Sequence, residues 1–341
     1  MIFSPRIFIA SSTLILRTLI ALSRSNWLLI WAAIELNLLR FIPILLRSKQ
    51  NQEREAAIKY FLAQALGSSL LLFSRFSSWF QYLLIKDITY ILLIRSVLLK
   101  LGRFPCHFWF PSVITSTRWI SCLVLATWQK LAPLSILAII LTQLSRKLIV
   151  IVASINAIVG GIIGINQSHL RTILAYSSIS HIGWIIRILT INASIYCILY
   201  YFIYVVLITP IFFILHKMSV STLSTANKIT DYPPLIQLSV VILLLSLAGL
   251  PPITGFLPKF IVLTILFRYN ILLALILILG SLITLYFYLN IAISLIINSR
   301  IQKRITQRSA PSRILIISGT MSLILIPIIF LIYALTLLNK S

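Results

Sequence analysis

Apolar stretches long enough to cross a bilayer recur along nearly the whole chain, and this recurrence constrains the fold most. A helix needs about 20 apolar residues to cross the hydrocarbon core. The 341 residues are 60% hydrophobic and 10% charged, with a mean hydropathy of +1.06. A soluble domain of this length cannot bury so much apolar surface. The sequence therefore predicts an all-α polytopic membrane protein and excludes a soluble or nucleic-acid-binding protein, despite the pI of about 10.6.

A window of about 20 residues divides the chain into about 11 predicted transmembrane helices joined by short loops. They cover 3–22, 26–46, 56–75, 81–101, 113–141, 148–165, 171–190, 194–216, 235–267, 270–297 and 314–337. No long polar linker interrupts them. We therefore predict one integral membrane domain over 1–341, with a core at about 26–297 and a C-terminal helix at about 314–337.

A lysine, Lys130, falls inside the apolar run from about Ile120 to Leu141. An ammonium near mid-membrane costs roughly 2.5–3.5 kcal/mol on insertion scales. A lysine that keeps its charge there needs a partner, and one that loses it becomes a site that can take up a proton. Both interpretations predict a working residue in transport, and a structural role is the less favoured alternative.

Three further charges accompany the predicted spans. Glu35 is the acid placed deepest in an apolar span, and Lys100 ends the fourth span just before a G-x-x-P sequence at 102–105. Lys259 lies in the ninth apolar region, which is too long for one straight helix and contains a second G-x-x-P at 249–252. Transporters place helix breaks of this kind around ion sites, often in two inverted repeats. From position alone, Lys100 and Lys259 fit snorkelling to the interface equally well.

The histidines and cysteines give weaker signals. His107 and His181 lie deep enough to relay protons, although a hydrogen-bonded structural histidine fits each as well. The three cysteines show no C-x-x-C spacing and predict neither a disulfide framework nor a metal site. They are Cys106, Cys122 and Cys197.

Several short motifs, in order, resemble the NADH:ubiquinone oxidoreductase chain 2 family, the mitochondrially encoded antiporter-like subunits of respiratory complex I. The similarity runs from Trp31 to about Asn290, and its order and spacing are more specific than any one motif. The motifs are Glu35–Leu39 with Phe41–Pro43, Glu55–Phe61, Lys100–Gly102 with Pro105, His107–Pro111, Thr127–Pro133, Asn166–Gln167 with Leu170–Arg171, Ala175–Ser178, His181–Trp184, Leu247–Pro252 and Gly255–Lys259.

The resemblance implies a fold and a role for the charges. The fold would be an antiporter-like inverted repeat with broken helices, lacking the first three helices of the 14-helix form. Glu35 would pair with Lys100 in the first broken helix, Lys130 would be the central lysine, and Lys259 would belong to the second broken helix. Protons would pass along this row, with His107 and His181 as candidate relays, because moving the acid changes how strongly the neighbouring ammonium is favoured.

The resemblance also implies a setting. The chain would be a multi-pass protein of the mitochondrial inner membrane that contacts other complex I membrane-arm subunits and the phospholipid bilayer, and no nucleic acid. It would hold no metal or cofactor, because NADH, FMN, iron–sulfur clusters and ubiquinone would be handled by other subunits. Two alternatives stay open: a stand-alone cation/proton antiporter, and a structural spacer with inert lysines.

Arginines in or beside apolar spans do not fit this family. Each buried arginine without a partner costs a few kcal/mol, and the chain has 29 Lys and Arg against 5 Asp and Glu. Only 3 methionines occur. Many animal mitochondria read AGA and AGG as serine and AUA as methionine. We therefore hypothesise that serine codons were translated as arginine, so that much of the +24 net charge is an artefact; the alternative is a divergent chain with real arginines. The positions are Arg40, Arg75, Arg95, Arg103, Arg118 and Arg187.

Overall fold

The computed structural model describes residues 5–23, 26–46, 50–79, 86–141, 146–225, 229, 234–251 and 253–302, and this part of the chain is helical. The helices are α1 (Pro5–Ser23), α2 (Trp27–Leu45), α3 (Asn51–Trp79), α4 (Lys86–Leu101), α5 (Trp109–Ser116), α6 (Trp119–Ala126), a 3₁₀ turn (Trp128–Lys130), α7 (Leu131–Leu141), α8 (Lys147–Ile165), α9 (Leu170–Leu189), α10 (Ser194–Met218), α11 (Pro234–Ala248), α12 (Phe256–Phe267) and α13 (Ile271–Gln302). The predicted last span, 314–337, lies outside these residues.

Described helices lie in each predicted span as far as 270–297, which confirms the all-α membrane fold. Within the described ranges, seven helices are long and apolar enough to cross a membrane, counting α6, the 3₁₀ turn and α7 as one, and shorter apolar helices add to them. The ninth region is broken into α11 and α12 around Gly249, as the sequence predicted.

The predicted span at 113–141 begins too early, because the membrane-crossing segment runs from Trp119 to Leu141, and it is not one continuous helix. Residues 113–116 belong to α5, and Thr117 and Arg118 are extended, with ψ angles of 162° and 155°. A second interruption follows at Thr127, after which the chain forms the 3₁₀ turn. Periodicity could not show either break, because apolar residues continue through both.

Polar side chains inside the helices satisfy their own backbone. Ser74, Ser96 and Ser178 are buried, and each donates its hydroxyl to the carbonyl three residues earlier. An apolar surrounding offers no water to these groups, so local bonds of this type allow serine inside spans. At the start of α2, the Asn26 side chain accepts from the Leu28 N–H at 3.1 Å and caps the helix.

The chain divides into two compact units, residues 1–152 and 153–341. In the first unit, α2 packs against α1 and α3, α3 packs against α4 and α5, and α4 packs against α7. In the second unit, α9 is buried along nearly its entire length. Gly183 permits this close packing, since a Cβ there would lie 2.8 Å from the Ala153 carbonyl oxygen. The prediction of a single integral membrane domain stays a prediction.

Candidate functional site

The first helix break follows Leu101, where α4 ends in a Schellman motif. Gly102 has φ = +64°, its N–H donates to the Leu99 carbonyl at 3.0 Å, and the Arg103 N–H donates to the Leu98 carbonyl at 3.0 Å. Glycine suits this position because a left-handed backbone strains residues with a Cβ. The last turn of α4 therefore ends with its Leu98 and Leu99 carbonyls hydrogen-bonded to the residues that follow the helix.

Neutral donors from other helices bind the carbonyls at this break. Gln64 Nε2 on α3 donates to the Lys100 carbonyl at 3.0 Å. Trp109 Nε1 on α5 donates to the Leu99 carbonyl at 2.9 Å. Buried carbonyls at a helix end need such partners. The Lys100 ammonium is thus not required as a donor at its own helix end.

The Lys100 side chain is buried, with 4% of its surface exposed, and lies against α3. A Cβ at Gly67 would lie 2.8 Å from Lys100 Cγ, so the glycine makes room for the lysine. Glu35 acts electrostatically on Lys100 and on the buried Tyr60. Among the described residues, Lys100 Nζ and Glu35 Oε2 have no hydrogen-bond partner. The structure therefore brings Glu35 and Lys100 into electrostatic range without a direct ion pair.

The central lysine, Lys130, ends the 3₁₀ turn and is 2% exposed. Its Nζ lies 4.8 Å from the centroid of the Phe110 ring. The Arg103 guanidinium carbon lies 5.4 Å from the same centroid, and its charge repels that of Lys130. An aromatic face attracts a cation, so Phe110 favours both charges while they oppose each other.

A hydrogen bond joins the Lys130 turn to the helix that carries Glu35. Asn37 Nδ2 on α2 donates to Gln129 Oε1 at 3.0 Å, although the two residues are 92 positions apart. In the described part of the chain, α2, Lys100 and the Lys130 turn also carry buried polar atoms without a protein partner. They are Trp31 Nε1, Glu35 Oε2, Asn37 Oδ1, Lys100 Nζ, Trp128 Nε1 and Gln129 Nε2.

The second helix break, in the second unit, repeats the helix ending with a different lysine arrangement. Gly249 has φ = +84°; its N–H donates to the Ser246 carbonyl at 3.0 Å, and the Leu250 N–H donates to the Leu245 carbonyl at 3.3 Å. Lys259, from α12, is buried and donates its ammonium to the Ala248 carbonyl at 2.7 Å. Here the lysine itself binds a carbonyl at the helix end.

The two candidate relay histidines occupy separate surroundings. His181, in the second unit, is buried on α9, and its Nδ1 lies 3.1 Å from the Tyr200 hydroxyl. His107, in the first unit, is buried between α4 and α5, with its ring centroid 4.1 Å from that of Phe108. Within the described ranges, no group of three His, Cys, Asp or Glu side chains is placed to hold a metal ion.

The six anomalous arginines are placed very differently. Arg40 and Arg95 are exposed on the surface of their helices. Arg75 stacks 3.4 Å from the Trp27 ring centroid, and Arg118 pairs with the buried Glu53 at 2.9 Å. Arg103 is fully buried, and the buried Arg187 donates to the Thr190 hydroxyl at 2.9 Å. The codon hypothesis stays a prediction.

Sequence reasoning found the charges and missed the amides. The structure brings Glu35, Lys100 and Lys130 into one unit, whereas Lys259 belongs to the other. It also adds Gln64 and the Asn37–Gln129 pair, which the sequence analysis did not single out. Uncharged amides inside apolar spans were the available signal, because each needs a buried partner.

Comparison with known proteins identifies the family. Residues 24–284 match the family model described as NADH:quinone oxidoreductase/Mrp antiporter, TM. NADH-ubiquinone oxidoreductase chain 2 of Lumbricus terrestris is 48% identical over 85% of this chain and 87% of its own length. The chain belongs to the NADH-ubiquinone oxidoreductase chain 2 family. Its relative in Locusta migratoria is 39% identical over 84% of both chains.

Solved structures agree with this family at the level of the fold. A chain of respiratory complex I from Thermus thermophilus matches with a TM-score of 0.80 and 22% identity, covering 95% of this chain and 79% of that chain. A chain of the Mrp complex from Dietzia sp. DQ12-45-1b matches with a TM-score of 0.70 and 18% identity, covering 81% of this chain and 57% of that chain. The antiporter-like fold of this chain 2 family member is therefore shown.

Proposed function

We propose that this chain is a core membrane subunit of proton-pumping NADH:ubiquinone oxidoreductase and carries protons across the mitochondrial inner membrane. The proton-carrying groups would be Glu35, Lys100, Lys130 and Lys259, with His107 and His181 as relays. Its partners would be the other membrane-arm subunits of the complex and the phospholipid bilayer. NADH, FMN, iron–sulfur clusters and ubiquinone would be bound by other subunits, so this chain would contribute to the enzyme without a redox centre.

One observation carries this proposal: Glu35, Lys100 and Lys130 are assembled in one unit with both lysine side chains buried. A buried lysine costs several kcal/mol when charged, so its protonation responds strongly to nearby charge. The negative charge of Glu35 favours the ammonium form of Lys100. Movement of α2 or protonation of Glu35 weakens that effect and favours release of a proton from Lys100 Nζ.

The surrounding polar atoms support a path for that proton. The buried atoms without protein partners include Trp31 Nε1, Trp128 Nε1 and Gln129 Nε2. Buried polar groups of this kind usually bind internal water. Protons move along water and side-chain hydrogen bonds, so such waters would connect the groups near Glu35 with those near Lys130.

The test replaces the central lysine in the intact complex. Complex carrying Lys130→Met is purified, placed in proteoliposomes and compared with the unchanged complex for protons moved per NADH oxidised. Loss of protons per NADH is expected, because methionine fills the space without binding a proton. The matched control is Lys59→Met, since Lys59 is exposed and pairs with Glu55 at 2.6 Å.

Two results would contradict the proposal. An unchanged ratio in the Lys130→Met complex would support an inert spacer. Exchange of Na⁺ or K⁺ for protons by the purified chain alone in liposomes would support a stand-alone antiporter.

A further inference from the structure

The Asn37–Gln129 hydrogen bond joins two elements of the first unit, and each element carries a charged residue of the candidate site. Asn37 belongs to α2, which also carries Glu35, and Gln129 directly precedes Lys130 in the 3₁₀ turn. The bond length of 3.0 Å is ordinary for an amide pair. It is therefore a direct side-chain link between the helix of the acid and the turn of the central lysine.

The geometry of α2 places Glu35 and Asn37 on different sides of the helix. Two residues of separation correspond to about 200° around the axis. The buried face of α2 contains Asn37 together with the apolar residues Ile30, Ile34 and Phe41, whereas Glu35 is only partly buried. Glu35 acts electrostatically on Tyr60 of α3 and on Lys100 of α4, while Asn37 donates a hydrogen bond to the turn. A rotation or shift of α2 therefore changes both the effect of Glu35 on Lys100 and the hydrogen bond of Asn37 to the turn.

Stability alone does not account for the amide pair. Asn37 is 4% exposed. Its Oδ1 and the Gln129 Nε2 atom are both buried and have no hydrogen-bond partner among the described residues. Replacing both members of a buried amide pair by apolar side chains of the same shape can be nearly neutral or stabilising. Local rules are broken most often where a protein needs a specific arrangement for its function.

We propose that Asn37 and Gln129 are positioning residues that hold the Lys130 turn against α2, so that a displacement of Glu35 is transmitted to Lys130. This inference rests on the proposed proton-carrying function. The hydrogen bond transfers no proton itself. It fixes the distance and orientation at which α2 and the lysine turn respond to one another.

A double-mutant cycle in the intact complex separates positioning from stability. The variants are Asn37→Leu, Gln129→Met and the two combined, each measured for thermal unfolding and for protons moved per NADH oxidised. Each single variant leaves one buried amide without a partner and is expected to unfold at lower temperature. The combined variant removes both amides and is expected to recover thermal stability.

Pumping is expected to behave differently from stability. The combined variant should keep the reduced proton-to-NADH ratio of the single variants, and the dependence of that ratio on pH should shift in all three. The exchanged pair, Asn37→Gln with Gln129→Asn, retains an amide hydrogen bond and should recover most of the pumping. The control is Asn290→Leu, because Asn290 is exposed within α13.

Recovery of the full proton-to-NADH ratio together with stability in the combined variant would overturn the inference, since the pair would then be structural. An unchanged ratio in the single variants would overturn it as well. Lys130→Met distinguishes the two proposals. If that variant loses pumping while the combined amide variant does not, only the positioning role fails; if it pumps normally, the proposed function fails first.

Discussion

The two helix breaks share a way of ending a helix and differ in what binds the carbonyls. At both, a glycine with positive φ closes a Schellman motif, at Gly102 and at Gly249. At the first break, Gln64 and Trp109 donate to the carbonyls of Lys100 and Leu99. At the second, Lys259 donates to the Ala248 carbonyl.

This difference assigns the two lysines different electrostatic partners. Lys259 binds the carbonyl end of a helix, where the helix dipole favours a cation. The Lys100 ammonium does not bind a carbonyl at its own helix end, because Gln64 and Trp109 donate to the carbonyls there. Its charge therefore responds to Glu35 on another helix. The first break therefore depends on the position of α2, whereas the second is defined within its own pair of helices. Variants that remove the partners of Lys100 and Lys259 test this difference between the two breaks.

The largest expected change to the charges around the two helix breaks comes from the six anomalous arginines, five of which lie in the first unit. We expect codons 40, 75, 95, 103, 118 and 187 to be AGA or AGG, so that the mature chain carries serine. The first break would then lose the cation that opposes Lys130, and Glu53 would lose its Arg118 partner. Of the charges that the sequence analysis singled out in or beside the spans, Glu35, Lys100, Lys130 and Lys259 would remain.

Coding DNA and peptide mass spectrometry check this expectation together. Serine at residue 103 removes a trypsin cleavage site, so an uncut peptide spanning that position is expected. Lys100 provides an internal control, because trypsin cleaves after lysine in either case. CGN codons with cleavage after residue 103 would show that the arginines are real and that the first break carries an additional buried cation.

The next largest effect is expected from Glu35→Gln. This change removes the negative charge that acts on the buried Lys100 ammonium without a direct ion pair. Lys100 should then lose its proton more readily, and protons moved per NADH oxidised should fall. Glu55→Gln is the control, because Glu55 is exposed and its pair with Lys59 is a surface pair worth little.

A fall of equal size in the Glu55→Gln complex would show that the effect does not depend on the first break. Lys259 should be insensitive to Glu35→Gln, since its ammonium donates to the Ala248 carbonyl in its own unit. A structure of the variant that showed Lys259 displaced from that carbonyl would contradict the contrast between the two breaks.

Substitution of the two glycines tests the shared helix ending. Alanine in a left-handed conformation costs about 1–2 kcal/mol at either position. At Gly102 its Cβ would also lie 2.7 Å from Phe110 Cβ, a buried side chain, while at Gly249 it would meet the flexible end of Lys259 at 2.9 Å. Gly102→Ala should therefore lower the unfolding temperature more than Gly249→Ala.

Proton pumping by the two glycine variants should not follow the order of their unfolding temperatures. Gly249→Ala pushes the Lys259 ammonium away from the Ala248 carbonyl, so its pumping should fall more than its modest loss of stability explains. Equal unfolding temperatures for the two variants would indicate that Phe110 moves as easily as a lysine side chain, contrary to its burial.

The sequence predicted the helices and the charged residues because each leaves a local signal. Apolar length predicted the spans, and Glu35, Lys130 and the glycine–proline segments stood out against that background. The breaks at Thr117 and Thr127 were missed, since apolar residues continue through both and only backbone angles reveal them. Gln64, Asn37 and Gln129 were missed because their partners are distant in sequence, and the pairing depends on how the helices pack.

The smallest expected effects concern the two neutral donors of the first break, and they should be unequal. Gln64→Leu removes the donor to the Lys100 carbonyl, and a buried carbonyl left without a partner costs about 1–3 kcal/mol. Trp109→Phe removes the indole donor to the Leu99 carbonyl, but that oxygen still accepts the Gly102 N–H at 3.0 Å. Thermal unfolding of the two variants should therefore show a larger decrease for Gln64→Leu, with Gln52→Leu, an exposed glutamine on the same helix, as the control. A larger decrease for Trp109→Phe would mean that the ring contacts of Trp109 with Tyr60 and Phe110, rather than the carbonyl hydrogen bonds, hold the first break together.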